Sequence, residues 1–358
     1  MDIFVLNQKF ETIDIIDNYE SLIWTDRYFE YGDFELYLPM QLSLLSSLQK
    51  DNYLYIRESE HVMIIEDFEI STDAEIGSRL TVTGRSLESI LERRIVWGQK
   101  TYSGTIHAIV KKMITDAIIS PSIAARKISN FKFQDCSDES VNGESIELQF
   151  TGDNLYDAVS VLCQTVRAGF QITLDADNNF VFSLYSGKDR SYEQDANPYV
   201  VFSPSFENII DSRYLETNSS YRNVTLVAGE GEGSSRKTVT VGSASGLSRR
   251  EVFTDARDIS STTDDGTLST TKYNNLLKER GNEKLEECVA STEFEGKAET
   301  TRMFQYGEDF FMGDIVQIAN EFGMEGRAYI TAIIRSQNEE GLSVYPTFET
   351  INTEEKEE

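Results

Sequence analysis

Histidine, cysteine and proline are scarce in this chain: two, three and five among 358 residues. His61 and His107 have no cysteine or second histidine at metal-ligand spacing, which excludes the common zinc motifs. Cys136, Cys163 and Cys288 are odd in number and far apart, so they make no disulfide framework. Three reduced, structural thiols are expected instead. HExxH, GxSxG, CxxC, GxxxxGK[ST] and an N-terminal GxGxxG are all missing. The expectation is no catalytic residue, no metal and no cofactor.

Basic charge is also short. Lys plus Arg total 33 against 61 Asp plus Glu, a formal net charge of −28. A nonspecific nucleic-acid binder carries a basic footprint, and none is present. Anionic membranes would repel the chain. No apolar run reaches ~18 residues, so no membrane span is expected. The opening MDIFVLNQKFETIDIID lacks a basic region and an unbroken apolar core, and is not read as a signal peptide.

What is present is a globular composition, 39% hydrophobic, with 20 Phe and 17 Tyr that favour sheet. The length suggests two to four domains at ~100–200 residues each. Residues 1–95 read as short strands, with a clean alternation in FELYLP after Tyr31-Gly32-Asp33. A helix is expected after Ser86, with Glu88 and Glu92 facing solvent.

From 96 to 200 the pattern is α+β. Thr105 can cap a helix with an apolar stripe through Ile106, Ile109, Val110, Met113, Ile114 and Ala117. Asp153 or Asn154 can cap a second helix, and Gly169 can stop it. Strands return after 200. GEGEGSS, with Gly229, Gly231 and Gly233, is expected to be a flexible loop, because its glutamates would repel a phosphate. Ser269 or Thr270 starts a helix interrupted by Gly281. Asp175, Asp177 and Asn178 resemble calcium ligands, but the twelve-residue loop is absent and a hairpin turn is expected.

The two ends of the chain look alike. Gly32-Asp33 precedes FELYLP, and Gly313-Asp314 precedes IVQIAN. Ile64-Ile65 matches Ile333-Ile334, and Leu80-Thr81-Val82 matches Leu342-Ser343-Val344. Two unrelated β-domains would also show such features by chance, so the spacing alone leaves duplication open. Gly32, Asp33, Gly313 and Asp314 are the expected structural turns.

DIFVLNQKFETIDIIDNYESLIWTDRYFEYGDFELYLP at the start resembles a family of siphophage tail proteins. VTGRSLESILERRIVWGQ, QFTGDNLYDAV, NPYVVFSPSFENI, NVTLVAGEGEG and the Gly313-Asp314 segment extend the resemblance over nearly the whole chain. It implies a mainly β fold with α+β domains: two similar β-barrel-like tube domains plus peripheral domains, similar to the baseplate hub of contractile-tailed phages. Carried to this chain, tube domain one is 1–95 and the α+β domain is 96–200. Tube domain two is split, 201–235 and 295–350, around a peripheral insert at 236–294. A frayed acidic tail, 351–358, follows.

The implied role is a structural, non-enzymatic trimeric hub in the tail tip of a virion, made in the bacterial cytoplasm. Implied partners are further copies of the chain, the distal tail protein, and a tape-measure or receptor-binding tip protein. DNA would pass without specific binding. A receptor- or carbohydrate-binding module, using Trp24 or Trp97 as a platform, is one alternative. A cell-wall hydrolase is another; the chain ends soon after Phe348, without the hydrolase extension of some relatives.

Overall fold

The computed structural model describes residues 1–351 except 76, 264–265, 299–302 and 323–324. The expected tail lies outside the described residues except for Ile351, which ends the last strand. The chain opens with strands β1 (Ile3–Leu6), β2 (Thr12–Ile16), β3 (Ser21–Arg27) and β4 (Asp33–Pro39). A one-turn helix α1 (Leu44–Ser47) leads to β5 (Tyr53–Tyr55), β6 (Met63–Asp73) and β7 (Gly77–Ser86). In β4 the alternation buries Phe34, Leu36 and Leu38 on one face, as a half-buried strand requires.

The middle of the chain contains β8 (Gln99–Gly104), α2 (Ile106–Ile114), β9 (Phe131–Gln134), β10 (Ile146–Thr151), α3 (Leu155–Thr165), β11 (Gly169–Leu174) and β12 (Phe180–Tyr185). Thr105 caps α2 by accepting from Ala108 N at 3.3 Å, and the expected apolar stripe is buried. Asn154 caps α3, accepting from Tyr156 N at 2.9 Å. The stop of α3 is Arg167 at φ 53, not Gly169, with Ala168 N closing onto Cys163 O at 3.0 Å. Gly169 opens β11 instead.

The rest contains β13 (Val201–Phe202), β14 (Ile209–Thr217), β15 (Val224–Ala228), β16 (Thr238–Val241), β17 (Glu251–Asp255), the pair β18 (Thr262–Thr263) and β19 (Gly266–Thr267), then α4 (Thr270–Glu286). The chain closes with β20 (Ser291–Ala298), β21 (Ile315–Ala319), β22 (Glu325–Asn338) and β23 (Gly341–Ile351). β15 joins β16 and β17 in a separate three-stranded sheet under α4. β15, expected in tube domain two, thus lies outside the main sheet, and position 235/236 falls inside the β15–β16 connection. Gly281 sits where α4 crosses this sheet: a Cβ there would stand 2.6 Å from Val241 and 2.8 Å from Val227.

One sheet runs through both ends of the chain in the order β14-β20-β23-β22-β3-β4-β7-β6-β5-β1-β2, with β21 on β22 and β13 on β21. The strand order occurs twice, although its last members differ in direction: β1 runs antiparallel to β5, whereas β13 runs parallel to β21. The order β3-β4-β7-β6-β5-β1 reappears as β14-β20-β23-β22-β21-β13, with the members in the same chain order from β3 and β14 onward. The long hairpins agree in detail. β6 bulges at Glu66, between the pairs Ile65–Gly84 and Asp67–Thr83. β22 bulges at Thr331, between Ile330–Phe348 and Ala332–Thr347. Each bulge lies the same distance from its turn, 66 to 73 and 331 to 338.

This register aligns Ile65 with Ile330 and Leu80 with Val344, which corrects the matches read from the sequence. Those are displaced by four and two residues. The shift of two keeps each side chain on its face, whereas the shift of four crosses the bulge at Thr331 and exchanges faces: Ile330 and Ile333 are buried on one side, and Ile334 lies on the other, half-buried. The two Gly-Asp turns are not equivalent either: Gly32-Asp33 opens the second strand of its set, Gly313-Asp314 the third. Among the described residues no strand pair closes the sheet into a barrel, and β2 and β14 are terminal in its order.

Candidate functional site: a buried three-way junction

The two strand sets and the α+β unit meet around the residue that follows β3. Tyr28 N donates to Thr331 O at 2.9 Å, at the bulge of β22. The Tyr28 ring is fully buried between two glycines from different units. A Cβ on Gly169 would stand 2.4 Å from it, and one on Gly313, at φ +82, 2.3 Å. Phe29 and Tyr185 pack on the ring at centroid distances of 4.6 and 5.3 Å. The hydroxyl reaches Arg167 O at 3.1 Å and Tyr185 O at 3.3 Å. Burial raises its pKa well above the phenol range.

Charged groups fasten the same junction. Asp314 is buried and accepts from Lys188 N and Arg190 Nε, both at 2.6 Å, and from Phe311 N at 3.0 Å. It ties the end of the α+β unit to β21. Asp26 on β3 and Arg335 on β22 form a buried pair at 2.5 Å. Trp24 Nε1 and Ser59 Oγ also donate to Asp26, at 3.1 and 2.9 Å. His61 Nδ1 lies 3.3 Å from Glu88 Oε1, which accepts from Ile172 N at 2.7 Å. Burial on its own lowers the His61 pKa, but the charges of Asp26 and Glu88 prevail and raise it to about 9.

Glu88 is therefore buried, against the expectation that it faces solvent. The segment after Ser86 is a 3-10 helix, Leu87–Arg93, and its geometry turns Glu88 toward β11. Glu92 pairs with Arg85 at 2.7 Å. Tyr28, Asp26 and Arg335 have no local signal in the sequence, because nothing near them announces a partner roughly 300 residues away.

Of the expected turn residues, Gly313 and Asp314 lie in this junction. Gly32 lies at its edge, where a Cβ would meet Thr25 O at 2.2 Å, and Gly32 N donates to Ser86 Oγ at 2.7 Å. Asp33 starts β4 and pairs with Arg27 at 2.9 Å. Gly229, Gly231 and Gly233 are far from the junction, in the β15–β16 connection. That loop is fastened rather than loose at its start: Glu230 accepts from Ser260 Oγ at 2.6 Å and Ser261 N at 2.9 Å, and Gly229 packs on Tyr273. Asp175 holds its own hairpin turn, accepting from Asp177 N and Asn179 N at 2.9 Å.

Among the described residues, no three His, Cys, Asp or Glu side chains are grouped to hold a metal. The three cysteines are free. No described helix is long and apolar enough to cross a membrane. Trp24 is buried in the first core and cannot serve as a sugar platform, whereas Trp97 is exposed beneath Arg126 at 5.2 Å. A groove of about 440 Å³ runs between α3, the end of α4 and β22; on its wall, burial raises the Glu283 pKa to about 7. The arrangement ties the two strand sets and the α+β unit together through buried hydrogen bonds and ion pairs.

The sequence matches the model for siphovirus ReqiPepy6 Gp37-like proteins over residues 2–348. No curated protein matches it. Three solved structures share the fold across nearly the full length of both chains. Prophage tail protein gp18 from Listeria monocytogenes EGD-e has 15% identity and TM-score 0.53, covering 99% of this chain and 95% of that one. The 43 kDa tail protein of prophage MuSo2 from Shewanella oneidensis has 12% identity and TM-score 0.58, covering 97% and 98%. A tail protein from Neisseria meningitidis MC58 has 12% identity and TM-score 0.54, covering 97% and 95%. At these identities the likeness is one of fold.

Proposed function

The chain belongs to the siphovirus ReqiPepy6 Gp37-like family, and from that premise we propose that it is a structural hub of a phage tail tip. Three copies form a ring that joins the tail tube and distal tail protein to the tip proteins. The observation that carries this reading is the repeated strand set with its matching bulges. Two similar sets per chain let three chains present six similar sheets, matching a sixfold tube to a threefold tip. Closed symmetry of this kind is the usual solution for an assembly. The fold shared with prophage tail proteins supports the same place in the virion.

DNA passes such a ring without being held. Arg27, Arg79, Arg85 and Arg327, all on strands of the main sheet, each meet a carboxylate, within 2.6 to 3.0 Å at their nearest. Neutralised arginines release few counterions from a duplex, so they gain little from contact with one. The test is the mass of the assembled species by light scattering, followed by imaging of the tail tip. Three copies are expected; a dimer or a hexamer of chains in the particle refutes the hub.

A further inference from the structure

The seam between the two strand sets is a contact that has no counterpart among the described residues of the chain. β3 of the first set pairs antiparallel with β22 of the second, from Ala332–Arg27 to Gln337–Leu22. By the bulge register, Ala332–Gln337 corresponds to Asp67–Thr72 on β6. β5 pairs with β6 only at Met63 and Ile64, so it does not reach that stretch. The counterpart of β3 is β14, which is terminal in the strand order. Each set thus holds one half of a seam.

We propose that β14 of one chain pairs with the Asp67–Thr72 edge of β6 in a second copy, repeating between chains the β3–β22 seam found within one. The proposal rests on the hub reading and supplies its interface.

The register can be derived. Phe34 pairs with Gly84 and with Trp24. At the corresponding positions, Phe294 pairs with Phe348 and with Tyr214. Tyr214 therefore stands where Trp24 stands, and Ile70 where Arg335 stands. In the seam, Trp24 is opposite Arg335, so between chains Tyr214 is opposite Ile70.

Burial fits a missing neighbour. Ile333 and Arg335 are 0% and 2% exposed, whereas their counterparts Phe68 and Ile70 are 41% and 44% exposed. Trp24 is 0% exposed and Tyr214 37%. Arg335 opposite Trp24 becomes Ile70 opposite Tyr214, an apolar pair, while Asp26 corresponds to Glu216, so the buried ion pair has no equivalent between chains. On the opposite face Arg213 falls opposite Ser71 and diagonal to Glu69, a favourable cross-strand charge pair. The contact is head-to-tail, which closes into a ring when the rotation allows it.

Ile70→Cys with Tyr214→Cys tests this on the full chain. Directly opposed residues of an antiparallel pair lie about 4.5–5.5 Å apart at Cα, within reach of a disulfide. The protein is oxidised in 1 M salt, where the Debye length is only about 3 Å and the −28 charge is screened. Covalent dimers and then trimers are expected on non-reducing gels, above the baseline of the parent chain with its three native cysteines. Ile70→Cys with Leu215→Cys, one residue out of register, points to opposite faces and should yield about tenfold less.

Equal yield from both pairs overturns the register. A trimer by light scattering with no disulfide between the two introduced thiols overturns this interface and leaves the hub reading standing. Covalent dimers that never become trimers support the edge contact and refute the threefold ring. No assembly under any condition overturns both.

Discussion

Replacing Gly313 with Ala tests whether the Tyr28 ring is a wedge between units. Two costs are expected. At φ +82 an L-residue is strained by about 1 kcal/mol. The new Cβ also falls 2.3 Å from a ring that Gly169 confines on its other side at 2.4 Å. Overpacking of that kind costs about 1–3 kcal/mol, so the total is about 2–4 kcal/mol. Gly98→Ala is the control: φ is +76 there and nothing lies within 4 Å, so only the strain of about 1 kcal/mol remains.

Urea unfolding read by far-UV circular dichroism and by fluorescence gives both values, provided the two transitions coincide. Tyr28→Ala alone should cost about 3–5 kcal/mol through the cavity it leaves. In the double variant the clash disappears, so the combined loss should fall short of the sum by about 1 kcal/mol or more. Additivity within about 0.5 kcal/mol refutes the wedge, as does a Gly313→Ala cost no larger than that of Gly98→Ala.

Arg335→Met strands Asp26 without its cation and should cost about 3–5 kcal/mol, while adding Asp26→Leu should recover most of it in the same urea assay. His61, raised to about 9 in the fold, contributes stability that is fully present below its unfolded value near 6.5 and lost as pH rises through 9. The unfolding free energy from urea titrations between pH 6 and 10 should therefore fall by up to roughly 3 kcal/mol, and His61→Gln should flatten that slope. Gly281→Ala gains about 1 kcal/mol of helix propensity but drives a methyl into Val241 and Val227, so the melting temperature should drop rather than rise.

What is legible in the sequence is local. The stripe from Ile106 to Ala117 and the Thr105 cap depend on neighbours within a few turns, and both stand as expected. The alternation of β4 is equally self-contained. Register is harder. A period of two cannot tell an alignment from one displaced by two residues, and a bulge such as those at Glu66 and Thr331 shifts the period without any mark in the sequence. Bulge residues carry no composition signal here, one being Glu and the other Thr.

The sequence misplaces the stop of α3 because Gly169 looks like the left-handed residue, whereas its small size serves the Tyr28 ring. Gly281 reads as a weakness in α4 for the same reason, when close packing on β15 and β16 requires it. β15, VTLVA, is as apolar as the strands of the main sheet, so the sequence does not tell that its partners are β16 and β17 instead.

Salt dependence offers a last discrimination, and its sign is the argument. A subunit of net charge −28 repels its copies, and this repulsion is long-ranged at low ionic strength. An interface made mainly of arginine–carboxylate contacts would weaken as salt rises, because screening removes its attraction. The proposed edge contact relies instead on backbone hydrogen bonds and the apolar pair Ile70–Tyr214. Those are little affected by screening, while the repulsion between subunits falls steeply once the Debye length shortens from about 30 Å at 0.01 M to about 3 Å at 1 M. Self-association measured by sedimentation should therefore strengthen with salt, and the Ile70→Asp variant should lose that association at every salt concentration. Association that is tightest at low salt would mean that charge pairs hold the subunits together, and the strand-edge account would be wrong.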